Sequence, residues 1–332
     1  MNVLDSLNAG LHRAFQADER VYLLGEDVLD PYGGAFRVSR GLSSEYPQRV
    51  ITTPISEAGI VGVATGMALR GLRPVVEIMF GDFLTLAADQ LINHAAKFRY
   101  MYNEAVRVPL VVRTPMGGRR GYGPTHSQSL EKYFLGVPGL RVLAPTTLGE
   151  PGRLLEKAIL ENEDPLLFVE NKLLYLLPLL QEGSLGEFEV HTVESDDSFV
   201  LRLQGAPPPT LTIAAYGYMA ELARQAMLRL AYELEIFTEL VIPTQLSPFT
   251  SEPLLASAVR TGQLLVLEEG TITLGWGAEV IARCAESTPN LRRYARLAAP
   301  DQPIPASRPQ EEAVLPGVDQ ILQSAVNLSL GN

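Results

Sequence analysis

Short apolar runs alternate with longer amphipathic stretches along the first half of the chain. The apolar runs predict strands at residues 21–24, 50–52, 74–80, 110–113, 141–144 and 166–169. Between them, apolar positions recur at helical spacing at residues 59–69, 84–102 and 150–161. Continuous apolar strands that alternate with helices are typical of a doubly wound α/β domain with a mostly parallel sheet.

The pattern changes after residue 181, where the chain becomes acidic and then reaches the three prolines 207–209. Such a composition indicates a connector that has room for a hairpin. Beyond it, strands are predicted at residues 211–215, 239–242 and 264–267, with helices at 219–234, 278–285 and 318–328. We therefore predict one α/β domain at residues 1–190, a connector at 191–208 and a smaller α/β domain at 209–332.

Composition and charge exclude several classes of protein. Hydrophobic residues make up 46% of the chain and charged residues 20%, as in globular proteins, and the net charge is −11. This acidic surface repels phosphate groups, so neither a nucleic acid nor a membrane is an expected partner. The most apolar run is much shorter than the ~18 residues of a membrane span. With no signal peptide visible at the N-terminus, we expect a cytoplasmic protein.

Common catalytic and metal-binding motifs are missing. There is no phosphate-binding P-loop and no nucleophile elbow, and the histidines lack metal-ligand spacing. Cys284 is the only cysteine, which excludes a disulfide framework and any multi-cysteine zinc or iron–sulfur site. Motif spacing alone therefore identifies no reaction.

Three segments nevertheless have unusual sequences. At residues 53–62 a strand end leads into a glycine-rich helix start, with Ser56 as the predicted N-cap and Glu57 in the first turn. Glu57 either stabilises the helix or performs chemistry. Residues 117–128 form a glycine-rich loop that carries His126. This loop is either a ligand-binding loop or a surface turn in which Ser127 caps the next helix. Phe80 and Phe83 either pack in the core or stack on a planar cofactor.

In this order and spacing, the three segments resemble the beta subunits of thiamine-diphosphate-dependent 2-oxo acid dehydrogenases. These subunits belong to the decarboxylating component of the pyruvate and branched-chain complexes and are related to transketolase. The resemblance extends from about residue 1 to 312 and includes the stretches at 24–28, 32–38, 53–62, 126–129, 137–140, 164–165, 268–270 and 277–280. It implies a pyrimidine-binding domain followed by a transketolase-type C-terminal domain.

The resemblance also implies roles for individual residues. Glu57 matches the glutamate that hydrogen-bonds N1′ of the cofactor's aminopyrimidine, and Ile55 is expected to pack against the cofactor. Phe83 matches the aromatic residue that stacks on the pyrimidine, with Phe80 lining the same pocket. His126 matches a histidine near the thiazolium C2 that assists acyl transfer or orients the carboxylate of the substrate.

Metal ions are implied at two places. Some members of the family bind a structural potassium ion, and the matching positions here are Leu110, Ile159, Leu160, Asn162 and Asp164, with the usual Asp and Asn exchanged. The Mg²⁺ that holds the diphosphate is bound in these enzymes by a Gly-Asp-Gly segment. Here Gly81-Asp82 is followed by Phe83, so Mg²⁺ and the diphosphate are expected on a separate alpha subunit.

The function implied is that of a beta subunit in an α₂β₂ heterotetramer. It would decarboxylate a small 2-oxo acid, pyruvate or a branched-chain acid, and pass the acyl group to the lipoyl-bearing acyltransferase core. An acetoin-dehydrogenase-type beta subunit and a non-catalytic scaffold of the same fold are alternatives. The family's Asp-Leu-Arg-Thr run is replaced by Val-Ile-Pro-Thr at 241–244, a change that bears on partner geometry.

Overall fold

The computed structural model describes residues 1–181, 185–193, 197–250, 252–288 and 290–330. Contacts divide the chain into two compact units, the first made of residues 1–117 and 133–179 and the second of residues 118–132 and 180–332. The prediction of two α/β domains is confirmed. The boundary between the two units falls between residues 179 and 180, and the loop at 118–132 belongs to the second unit.

The first unit is built on a parallel sheet. Its strands are β1 (Val21–Gly25), β2 (Val50–Thr52), β3 (Arg73–Glu77), β4 (Val111–Met116), β5 (Arg141–Leu143) and β6 (Leu166–Asn171). They lie in the order β5-β6-β4-β3-β1-β2, and every neighbouring pair is parallel. Every residue of β3 and β4 is buried, as expected for strands covered on both faces.

Helices precede the first strand and connect most of the others. They are α1 (Val3–Ala17), α2 (Leu42–Glu45), α3 (Glu57–Leu69), α4 (Leu84–Asp89), α5 (Ala96–Met101) and α6 (Pro151–Leu160). The single helix predicted at 84–102 is divided, because the segment between α4 and α5, Gln90–Ala95, has π-helical hydrogen bonding. The predicted helices at 59–69 and 150–161 correspond to α3 and α6.

The second unit contains a mixed sheet. Its strands are β7 (Phe188–Val193), β8 (Ser198–Leu203), β9 (Leu211–Ala215), β10 (Thr238–Ile242), β12 (Gln263–Thr271) and β13 (Arg293–Ala299). They lie in the order β13-β12-β9-β10-β8-β7, with β7 and β8 antiparallel to their neighbours. The remaining elements are a short strand and five helices: β11 (Gln245–Ser247), α7 (Gly217–Leu234), α8 (Glu252–Thr261), α9 (Trp276–Ser287), α10 (Arg308–Val314) and α11 (Val318–Leu330).

The region predicted as a connector, 191–208, contains the end of β7 and all of β8. The hairpin considered for this region is present and forms one edge of the second sheet. Several residues of β7 are exposed, so its polar composition is that of an edge strand. Residues 194–196 of the predicted connector lie outside the described residues. In the described part of the chain, no helix has both the length and the apolar character needed to cross a membrane.

A buried arginine joins three strands of the first sheet. The side chain of Arg113 on β4 is 1% exposed, and its Nε donates to Oε1 of Glu170 on β6 at 2.8 Å. Its Nη1 and Nη2 donate to Glu77 on β3 and to Glu170. The hydroxyl of Tyr175 also donates to Glu170, at 2.6 Å. Burial lowers the pKa of Arg113, but the two carboxylates outweigh it and hold that pKa above its usual value.

This network also fixes the loop that follows β1. At Gly34, where φ is +81°, a Cβ atom would lie only 2.1 Å from Oε1 of Glu77, so the backbone approaches the carboxylate where no side chain fits. Phe36 in the same loop packs against Phe80 and Tyr175, with ring centroids 5.7 and 5.4 Å apart. The charged network thereby supports an aromatic cluster at the carboxyl end of β3.

Replacing Arg113 with Met should destabilise the chain by roughly 3–5 kcal/mol, because two carboxylates would remain buried without their cation. Urea unfolding of the purified chain measures this loss. Arg153→Met, at an exposed position on α6, is the control and should change the free energy of unfolding by no more than about 0.5 kcal/mol. A similar, small effect of both substitutions would contradict the structural role of Arg113.

Candidate active site

The sheet of the first unit brings the predicted cofactor residues to one edge. Ile55 and Glu57 follow β2, and Phe80 and Phe83 follow β3, with β1 lying between these two strands. Because the three strands are parallel, their carboxyl ends lie at the same edge of the sheet, where ligands bind in open α/β folds.

Glu57 is a buried carboxylate at the start of a helix. It is the first residue of α3 and is 5% exposed. It is also the only charged residue of α3, since the other twelve are apolar, small or hydroxylated. The positive end of the helix dipole favours a carboxylate here. Ser56 occupies the predicted N-cap position, but its side chain makes no capping hydrogen bond.

A second carboxyl group, that of Glu26, lies beside Glu57. Glu26 directly follows β1 and is buried, and the backbone N–H of Ser56 donates to its carboxylate. Burial raises the pKa of Glu26, and the charge of Glu57 raises it further. Its Oε1 is buried without a hydrogen-bond partner among the described residues. An acid directly after a parallel strand was the signal in the sequence that could have identified it.

Two phenylalanine rings form the aromatic part of this edge. Phe80 and Phe83 pack edge to face, with centroids 5.9 Å apart and an interplanar angle of 71°, and the Nζ of Lys172 lies 5.0 Å from the Phe80 centroid. Both rings are half-buried, and Ile55 is 83% exposed. The three side chains thus combine core packing with apolar surface on which a flat ring could rest.

His126 lies in the loop of the second unit. It is half-buried, its backbone N–H donates to the Gly123 carbonyl at 3.3 Å, and its Nδ1 lies 3.0 Å from Oγ1 of Thr125. Ser127 caps no helix, since between residues 127 and 140 the only helical turn is the 3₁₀ turn Glu131–Tyr133. His126 therefore lies on an irregular loop, as the glycine content of the segment indicates.

All five residues matched to the potassium site belong to the first unit. Nη1 of Arg73 donates to the carbonyls of Ile159 and Asn162, at 3.0 and 2.9 Å. The carbonyl of Leu110 accepts the N–H of Leu166 at 2.8 Å, and the Asn162 side chain donates to the carbonyl of Asp164. Two carbonyls thus face one cationic nitrogen, and each oxygen has a second lone pair to offer.

Comparisons with known proteins agree with this architecture. The family described as Transketolase, pyrimidine binding domain matches residues 1–177, and the family described as Transketolase, C-terminal domain matches residues 204–321. A solved structure, "Split gene transketolase, inactive beta4 tetramer", superposes with a TM-score of 0.77 over 97% of this chain and 96% of that one. At 19% identity, this likeness shows the shared fold alone.

Several curated relatives are similar over almost the whole chain. Pyruvate dehydrogenase E1 component subunit beta-2 of Oryza sativa subsp. japonica is 37% identical, covering 98% of this chain and 85% of the relative. The 2-oxoisovalerate dehydrogenase subunit beta of Pseudomonas aeruginosa is 36% identical, over 96% and 91%. Acetoin:2,6-dichlorophenolindophenol oxidoreductase subunit beta of Bacillus subtilis is 33% identical, over 99% and 97%.

One assignment follows from the two domain matches, the parallel sheet with Glu57 at its carboxyl edge, and the identities above 30% over nearly the full length. This chain belongs to the family of 2-oxo acid dehydrogenase beta subunits, which is built from the transketolase pyrimidine-binding and C-terminal domains.

Proposed function

We propose that this chain, together with an alpha subunit in an α₂β₂ heterotetramer, decarboxylates a 2-oxo acid on thiamine diphosphate and transfers the acyl group to lipoamide. The substrate is pyruvate or a branched-chain 2-oxo acid, the acyl acceptor is carried by a lipoyl-bearing acyltransferase core, and the assembly is cytoplasmic. The observation that carries the proposal is the buried carboxylate of Glu57, the only charge of α3, at the sheet edge that also holds Phe80 and Phe83.

The residues at this edge suit the pyrimidine half of the cofactor. Glu57 would hold a proton at N1′, Phe83 would stack on the ring, and Ile55 and Phe80 would complete the apolar wall. When bound, the cofactor supplies the electron sink for decarboxylation. Glu26 lies beside Glu57 at this edge, and burial together with the charge of Glu57 raises the pKa of the Glu26 carboxyl group.

The diphosphate half is assigned to the alpha subunit. This chain has no Gly-Asp-Gly segment and carries a net charge of −11, which repels a diphosphate that no metal neutralises. Within the described ranges, no three His, Cys, Asp or Glu side chains are grouped so that they could hold a metal ion. We therefore assign Mg²⁺ to the alpha subunit, and His126 of this chain to acyl transfer or to binding of the substrate carboxylate.

Exposed apolar side chains support a partner subunit. Val63 on α3 is 60% exposed, and Leu86, Tyr100 and Met101, from the helical region 84–101, are more than half exposed. Large apolar side chains exposed on neighbouring helices of one unit are typical of an interface, and obligate interfaces are the most apolar class. This surface is what an association with the alpha subunit would cover.

The acetoin-cleaving function is the second candidate, and the Bacillus subtilis relative favours it. The two candidates differ in the bond that is cleaved, so turnover decides between them. The purified alpha–beta pair should be assayed with pyruvate, 3-methyl-2-oxobutanoate and acetoin, with dichlorophenolindophenol as the electron acceptor. Turnover of either 2-oxo acid but not acetoin would support the proposal.

A chain that served only as a scaffold would have no need to keep Glu57, Phe83 and His126 together.

Glu57→Gln should fold and assemble but lose about 10²–10⁴-fold in turnover, because an amide cannot exchange a proton with N1′. The measurement is kcat of the reconstituted enzyme at saturating thiamine diphosphate. Glu252→Gln, at the exposed first residue of α8, is the matched control and should retain full turnover. Full activity of Glu57→Gln would refute the assignment of this residue.

The isolated chain should bind thiamine diphosphate weakly or not at all in the presence of Mg²⁺, since it lacks the diphosphate half of the site. Calorimetric titration of the chain alone, and then of the chain with its alpha subunit, tests this division. Binding should appear when the alpha subunit is added. Tight, Mg²⁺-dependent binding by the isolated chain would place both halves of the site here.

We also propose that potassium binds at Leu110, Ile159, Leu160, Asn162 and Asp164, through carbonyl oxygens and polar side chains. Arg73 shares the carbonyls of Ile159 and Asn162, so the ion must use their second lone pairs and should bind weakly. The thermal unfolding midpoint of the chain should therefore rise with KCl above its value in choline chloride at equal ionic strength. Equal midpoints in the two salts would show that Arg73 alone satisfies these carbonyls.

A further inference from the structure

The loop at residues 118–132 has a backbone that needs outside support. Arg119 has a φ of +69°, in the left-handed region that disfavours residues other than glycine. Gly121 and Gly123 follow, with φ values of +71° and +78°. Glycine adopts such φ values without strain, but a residue such as Arg119 keeps this conformation only where surrounding contacts fix it. The groups that hold this loop are therefore part of what determines the position of His126.

Glu269 closes the base of the loop. This residue lies on β12 and is buried, and its Oε1 accepts the N–H of Gly118 at 2.9 Å and the hydroxyl of Ser129 at 3.3 Å. These two partners lie on either side of His126 in the sequence, so one carboxylate oxygen ties together the two ends of the loop. The other oxygen, Oε2, lies 3.4 Å from Nε of Arg119.

Glu311 holds the middle of the loop. It lies on α10 with no exposed surface, and its Oε2 accepts the N–H of Gly121 at 2.8 Å. The loop backbone packs tightly here, because a Cβ atom on Gly118 would lie 2.5 Å from Cδ1 of Leu315 and 2.9 Å from Oε1 of Glu311. Nη2 of Arg119 donates to the carbonyl of Pro316 at 2.6 Å, which adds a third attachment.

The carboxylates that hold the loop, those of Glu269 and Glu311, are both buried. A buried charge is costly unless it is hydrogen-bonded, and hydrogen bonds to a charged group are roughly twice as strong as neutral ones. Both carboxylates accept a main-chain N–H of the same loop, whose outer residues Tyr122, Pro124 and Thr125 are exposed. The loop is thus hydrogen-bonded at its base and exposed at the residues that precede the half-buried His126.

We propose that Glu269 and Glu311 are positioning residues for His126, holding the loop at residues 118–132 in the conformation that presents the imidazole. The role of His126 itself rests on the proposed function. The hold on the loop does not, because it follows from the hydrogen bonds to Gly118, Ser129 and Gly121.

Hydrogen exchange in the reconstituted enzyme tests the hold directly. In Glu269→Ala and Glu311→Ala the amides of residues 118–132 should exchange at least about tenfold faster than in the wild type, and in the Gln variants by an intermediate factor. Glu312→Ala is the matched control, since the side chain of Glu312 is exposed and, among the described residues, pairs only with Arg308 of its own helix. Unchanged exchange of the loop in the Ala variants would overturn the proposal. If the Ala variants do not fold, unchanged exchange in the Gln variants would overturn it equally.

Kinetics tests whether the loop acts through His126. Each Ala variant should lose roughly 10- to 100-fold in lipoamide-linked kcat, the range typical of a misplaced catalytic group. Combined with His126→Ala, neither should cause any further loss, because both substitutions would remove the same contribution. Losses that multiply would overturn the positioning role. Full activity of His126→Ala would instead refute the role of His126 in the proposed function, while the exchange measurement would still decide whether the two glutamates hold the loop.

Discussion

The buried ion pairs of Arg113 are the interaction on which the first unit depends. One guanidinium satisfies the carboxylates of Glu77 and Glu170, so three neighbouring strands of the sheet share a single charge centre. A buried pair of this kind adds little to stability compared with an apolar replacement, but losing one partner is severe. It therefore fixes geometry more than it adds free energy. Contacts continue from this network through Gly34 and Phe36 to Phe80, which lies at the same sheet edge as Glu57.

In the second unit, burial raises the pKa of two acidic residues, Glu268 and Glu131. Burial raises the pKa of Glu268 to about 7, against hydrogen bonds from the backbone N–H groups of Gly277 and Trp276 at the start of α9. Burial also raises the pKa of Glu131, whose carboxylate accepts the Tyr216 hydroxyl. Because the pKa of Glu268 lies above its ordinary 4.5, its contribution to stability is complete in acid and is lost as the pH rises towards 7.

The chain presents the two groups of proposed functional residues on separate units. Glu57, Phe80 and Phe83 lie at a sheet edge of the first unit, whereas His126 lies on a loop held by acids of the second. Under the proposed function, the helix start would hold the Glu57 carboxylate against one ring nitrogen. The loop, held at its base and exposed at its outer residues, would present His126 for acyl transfer or for binding of the substrate carboxylate. The two supports are thus physically different, and each is matched to its proposed task.

The sequence alone determined the α/β class and most of the strand–helix alternation, because these depend on local periodicity. The selection of Glu57, Phe80, Phe83 and His126 depended on motifs that are continuous along the chain and on their resemblance to a known family. Only the tertiary structure decided that residues 118–132 join the second unit, and that part of the acidic stretch before the prolines is an edge hairpin. Only the structure brought Glu26 beside Glu57, and Glu269 and Glu311 onto the loop, because these contacts join residues distant in sequence. A buried acid resembles an exposed one in sequence, and only packing shows which N–H groups it meets.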